Sequence, residues 1–210
     1  LWAIDADLPP IRARVTQAAD HLHDLLLPGY VRQPHITLAL CGFPTDAPRE
    51  EEDFGPAALL AQLKALRAAP SVPFMLQIGP LASFSSAPFL AVHDLEGGVG
   101  VLRDALSATT HPSGGRYVPH VTVGLYRGCY PTPQVQARLD AHSAPPILCP
   151  VDRISLMSYA SAEIGGRLAH LADYDLAKRV LVWRDEMRPL QFGSGTSADS
   201  PSRPSEGRLH

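Results

Sequence analysis

No apolar run in this sequence approaches the roughly 20 residues that a membrane helix needs, so a helical membrane protein is not expected. Nor does the sequence open with a basic stretch followed by an apolar one, and no secretory leader is expected. Cysteine is scarce, with Cys41, Cys129 and Cys149 making up the whole complement of 3. An odd, scattered set without Cys-x-x-Cys spacing fits neither a disulfide framework nor a zinc site, and a reducing, cytoplasmic setting is expected. Positive charge is not in excess either. Lys and Arg number 18 against 21 Asp and Glu, for a formal net charge of −3. That argues against a protein that grips long nucleic acid by counterion release, and leaves room for a localised basic pocket around one phosphate. There is no Walker-type loop, no Gly-x-Gly-x-x-Gly and no serine with nucleophile-elbow flanks. His21 and His23 lie two apart on a helical segment and cannot face each other, so they do not suggest a metal site.

What the sequence does have is core material. Hydrophobic residues make up 45% and charged residues 19% of its 210 residues, a balance that suits one domain or two lobes around a shared interior. Pattern predicts strands at 1–7, 34–41, 72–79, 88–93, 118–126, 152–159 and 168–176. It predicts helices at 9–27, 57–68, 98–109 and 132–141, the first opening on Pro9-Pro10. Pro44 to Pro56 reads as an acidic, solvated loop. The fold class expected is α+β with mainly antiparallel strands over residues 1–192. Ser, Gly, Pro and Thr dominate 193–210, which reads as a disordered tail.

One internal repeat stands out. Pro34-His35-Ile36-Thr37-Leu38-Ala39-Leu40 matches Pro119-His120-Val121-Thr122-Val123-Gly124-Leu125, and each copy is preceded by a tyrosine and a valine, Tyr30-Val31 and Tyr117-Val118. By average residue usage, Pro-His-[Ile/Val]-Thr arises at a given position with a chance on the order of 10⁻⁵, so two copies are not an accident of composition. Strand alternation places His35, Thr37 and Ala39 on one face and Ile36, Leu38 and Leu40 on the other. In the second copy His120, Thr122 and Gly124 oppose Val121, Val123 and Leu125. One face builds core. The other presents an imidazole and a hydroxyl, followed by a residue too small to obstruct a ligand.

Two imidazoles suit the opening of a phosphodiester. One takes a proton from water and the other protonates the departing alkoxide, and an unperturbed pKa of about 6.5 allows both roles near neutrality. The Thr37 and Thr122 hydroxyls can donate to non-bridging phosphate oxygens. The scheme requires no metal and no cofactor.

On these residues the chain resembles the 2H phosphoesterase superfamily, which includes RNA 2′,3′-cyclic phosphodiesterases and 2′-5′ RNA ligase-like proteins and whose hallmark is two His-x-[Thr/Ser] motifs. The resemblance covers about residues 1–183. It implies a bilobal, pseudo-two-fold fold with antiparallel sheets flanking a central cleft, one motif in each lobe. It implies a metal-independent phosphodiesterase acting on a 2′,3′-cyclic phosphate, either a small cyclic nucleotide or an RNA 3′-end. By analogy His35 is the acid and His120 the base. Many bacterial RNA-active relatives carry an arginine five residues after a motif histidine. Here those positions are Leu40 and Leu125, so phosphate recognition is expected from Arg127, Arg32 or Arg116, with Tyr126 and Tyr159 as further substrate contacts. A 2′-5′ ligase acting on tRNA halves and a non-catalytic nucleotide-binding module are the alternatives. No membrane and no stable protein partner are implied, and a monomer is expected.

Overall fold

The computed structural model describes residues 1–107 and 117–184. Its elements run β1 (Trp2–Asp5), α1 (Pro9–His21), β2 (His35–Ala39), β3 (Phe43–Pro44), β4 (Asp53–Phe54), α2 (Pro56–Ala68), β5 (Phe74–Ser83), β6 (Pro88–Asp94), α3 (Gly98–Ser107), β7 (His120–Thr122), α4 (Thr132–Asp140), β8 (Ile147–Val151), β9 (Arg153–Ser158), β10 (Ala169–Asp175) and β11 (Val180–Trp183). The α+β class and the bilobal arrangement are as expected. The reading of 193–210 falls outside the described residues, as does Arg116.

Two antiparallel sheets form the lobes. One has the order β11-β10-β9-β1-β2 and the other β7-β6-β5-β8. The lobes are therefore not the two halves of the chain. The first joins the N-terminal strands to the C-terminal ones, and the second is the continuous stretch between them. β2 and β7, the two motif strands, are each the last strand of their sheet, and they approach one another across the lobe junction.

Several boundaries differ from expectation for physical reasons. α1 stops at His21 and not at 27. The chain turns there, Leu25 N–H donating to the Leu22 carbonyl at 2.8 Å, and Leu26 then bridges to Tyr126. Leu22 and Leu25 still reach the core. β7 is only three residues long, yet the segment beyond Thr122 stays on the β5–β6 hairpin, Val123 N–H donating to the Pro88 carbonyl and Tyr126 N–H to that of Ser86, both at 3.0 Å, while Tyr126 also bridges to Leu26. β5 continues to Ser83 through a register shift between Ile78 and Leu81. β8 and β11 were not expected. Each pairs on one side only, and β8 contains Pro150, which an outer strand tolerates.

The core holds Trp2, Ile4, Ile36, Leu38, Leu66, Leu76, Ile78 and Leu90, all essentially inaccessible. Among them sits a fully buried amide, Gln62, whose Oε1 accepts from the Trp2 indole N–H at 2.7 Å. Cys41, Cys129 and Cys149 are free thiols.

Candidate active site

The predicted alternation holds from Ile36 to Leu38 and from Val121 to Val123, but Leu40, expected on the core face, is 62% exposed because β2 ends at Ala39. Ile36, Leu38, Val121 and Val123 are buried, while Thr37 and Thr122 are half-buried on the opposite faces. Across the ladder Thr37 faces Ala3 and His120 faces Ala91, so small neighbours leave room beside them. Gly124 serves packing instead of access, since a Cβ there would meet Leu26 Cδ1 at 3.0 Å.

The two imidazoles are held alike. His35 Nδ1 lies 2.8 Å from the Gln33 carbonyl oxygen, and His120 Nδ1 lies 2.7 Å from that of Val118. A carbonyl only accepts, so each neutral ring carries its proton on Nδ1 and keeps the Nε2 lone pair for a ligand. The rings differ in setting. His35 is buried, with 8% of its surface exposed. Burial pulls its pKa below the ordinary imidazole value, and the positive fields of Arg32 and His120 act the same way, against the Gln33 bond and Asp5. His120 stands half-exposed against aromatic edges, with ring centroids 5.0 Å from Phe84 and 5.5 Å from Phe89. Phe84 and Phe89 stack on each other at 4.2 Å.

The tyrosines of the repeat cross between lobes. The Tyr117 hydroxyl donates to the Thr37 carbonyl at 2.9 Å, and the Tyr30 hydroxyl engages the Thr122 side chain. Burial pushes the Tyr117 phenol up to about 12, so it stays a neutral donor. Arg103 of α3 lies over the Tyr117 ring, 3.5 Å from its centroid, and donates to the Leu38 carbonyl. The open edge of β2 is thus capped by two side chains from the second lobe's chain segment.

This chain belongs to the 2′-5′ RNA ligase superfamily. The family description matches residues 6–163, and the paired His-x-Thr strands just described carry the superfamily's hallmark. Among solved structures, E. coli LigT complexed with 3′-AMP is similar at 20% identity and a TM-score of 0.55, over 83% of this chain and 95% of that one. TT0787 of Thermus thermophilus is similar at 19% identity and 0.54, over 83% and 96%. A structure described as a phosphoesterase matches at 19% and 0.51, over 84% and 96%. At such identities the likeness is one of fold. Comparison with curated proteins gives no match.

The remaining candidates of this 2H phosphoesterase separate into two groups. Arg32 and Tyr159 come together on the His35 side, the guanidinium 4.5 Å from the Tyr159 ring centroid and its Nε donating to the Gly166 carbonyl at 3.0 Å. Tyr126 and Arg127 lie on the other side, beyond Phe84. The Tyr126 hydroxyl meets Ser83 Oγ at 2.7 Å, and the exposed Arg127 donates from Nε to the Tyr130 hydroxyl at 3.3 Å. Arg103, Phe84 and Phe89 were not singled out in the sequence. Arg103 reads there as one more helix arginine, and the phenylalanines as residues of a Ser-rich turn and its strand. Among the described residues no group of His, Cys, Asp and Glu is arranged to hold a metal, and no helix is long and apolar enough to cross a membrane.

Proposed function

We propose that the protein is a metal-independent phosphodiesterase that opens a nucleoside 2′,3′-cyclic phosphate by acid–base catalysis between His35 and His120. The observation that carries this reading is the matched pair of imidazoles, each with Nδ1 tied to the carbonyl two residues earlier and Nε2 left to act. His35, kept neutral by burial, is the base, the reverse of the order implied by analogy. It takes a proton from water as the water oxygen attacks phosphorus. The ring P–O bond breaks, and protonated His120 returns a proton to the departing oxygen. The products are a phosphomonoester and a free ribose hydroxyl. Thr37 and Thr122 donate to the non-bridging oxygens, and the Arg32 guanidinium, whose field reaches both His35 and Tyr30, adds positive charge to that cleft.

The test is a panel of nucleoside 2′,3′-cyclic phosphates, ADP-ribose 1″,2″-cyclic phosphate and an RNA with a 2′,3′-cyclic end, assayed with EDTA present. Turnover of a 2′,3′-cyclic phosphate that disappears in the His35→Ala, His120→Ala double variant supports the reading. Binding without turnover of any of them would point to a nucleotide-binding module instead, and joining of tRNA halves to a ligase.

A further inference from the structure

Phe84 is shared between two spaces. One edge of its environment is the His120 ring, 5.0 Å away. The same residue lines a cavity of about 520 Å³ between the hairpin after β5, the segment 126–130 and the start of α4. Neither histidine lines that cavity. Its volume is in the range of small-molecule sites, about 300–1,000 Å³.

The lining is chemically mixed. Tyr126 and Tyr130 present two rings at 65° with centroids 6.0 Å apart. Ser85 from the hairpin and Thr132 and Gln136 from α4 add hydroxyl and amide groups. The Tyr126 hydroxyl reaches Ser83 Oγ at 2.7 Å, and Ser83 Oγ donates onward to the Phe84 carbonyl at 2.6 Å, tying the hairpin to the tyrosine wall. The guanidinium of Arg127 stands exposed beside Tyr130. Aromatic faces, polar edge groups and an adjacent cation make up the usual equipment for one base of a single strand and its phosphate.

We propose that this cavity binds the nucleoside next to the one bearing the cyclic phosphate, so that the favoured substrate is an RNA end of at least two nucleotides. The inference rests on the cyclic-phosphodiesterase reading above. Phe84 is the partition between the reacting nucleotide at His120 and its 5′ neighbour in the cavity. Tyr126 and Tyr130 stack on the neighbour's base, and Arg127 meets the phosphate that links the two. One cation at one linkage agrees with a net charge of −3, which argues against a grip on long RNA by counterion release.

The test compares kcat/KM for a nucleoside 2′,3′-cyclic phosphate with that for a dinucleotide ending in the same group. The dinucleotide is expected to be favoured by about tenfold or more, from stacking of one base. Tyr130→Ala should collapse that ratio to near one, through a raised KM for the dinucleotide, while the mononucleotide still turns over. Gln136→Trp, at an exposed helix position that blocks the cavity without removing a packed ring, should do the same if Tyr130→Ala does not fold. Equal kcat/KM for both substrates in the unaltered protein would overturn the subsite and leave the phosphodiesterase reading standing. Loss of both substrates in equal measure in the two variants would also overturn it. Absence of turnover on either substrate in the unaltered protein would remove the reading and the subsite together.

Discussion

The hydroxyl of Tyr117 donates to the backbone carbonyl of Thr37, so the tyrosine introducing the second motif fixes the strand that carries the first. The bond spans the junction between lobes at the place where the two histidines must be held at a working separation. Removing it with Tyr117→Phe keeps the ring under Arg103 and leaves the Thr37 carbonyl without its partner. A loss of about 1 kcal/mol in stability is expected. A larger fractional fall in kcat than in KM should accompany it, because the bond positions and does not bind. Denaturant midpoints and steady-state kinetics on a cyclic nucleotide check both.

In the proposed scheme each histidine supplies one proton transfer. His35→Ala and His120→Ala should each lower kcat by about 10²–10⁴-fold. The double variant should fall little further than the worse single one, because groups acting in one step are not additive. EDTA should leave the rate of the unaltered enzyme unchanged. A rate that falls with EDTA and recovers with added divalent metal would contradict the two-histidine scheme.

With His35 as the proposed base, its burial sets the sign of the pH dependence. Burial, then Arg32 and His120, hold the His35 pKa below 6.5. The base is active when deprotonated, so the acid limb of kcat/KM should lie below pH 6.5. Arg32 contributes to that depression, and Arg32→Gln should move the limb upward, toward 6.5, while raising KM. Stability follows the same group. As pH falls below about 6.5 the unfolded chain binds this proton before the folded one does, so stability drops down to the depressed folded value. A pH–rate profile of both proteins reads the first effect, and Tm against pH reads the second.

Gln62 provides a test of the core remote from the chemistry. Its Oε1 is the acceptor for the buried Trp2 indole N–H. Gln62→Leu strands that donor in an apolar interior and should cost about 1–3 kcal/mol, with kcat unaffected in the folded population. Thermal unfolding beside single-temperature kinetics separates the two.

The candidate site was legible in the sequence because its motif repeats. A strand that alternates core and polar residues announces its faces, and finding the same alternation twice named His35, Thr37, His120 and Thr122 together. What connects the copies was not legible. Tyr117 and Tyr30 could be seen only as the lead-in to each repeat, since their crossed partners depend on which sheet edges meet. Gly124 looked like space for a ligand and proved to be space for Leu26. β8 and β11 escaped notice because they are short, five and four residues, and β8 holds Pro150, which on sequence alone argues against a strand. Arg103 carries no local signal at all. Its importance comes from lying opposite β2, which is a property of packing.

The strand order has a consequence for the nascent chain. The sheet that carries His120 is built from residues 74–151 without interruption, so it can close before the ribosome has delivered the remainder. The sheet that carries His35 cannot. Until β9 and its successors emerge, β1 and β2 form a two-stranded remnant, which is marginal alone in water. The working separation of the two imidazoles is therefore among the last features to appear during synthesis, and prematurely terminated chains ending before Arg153 are expected to lack the assembled pair.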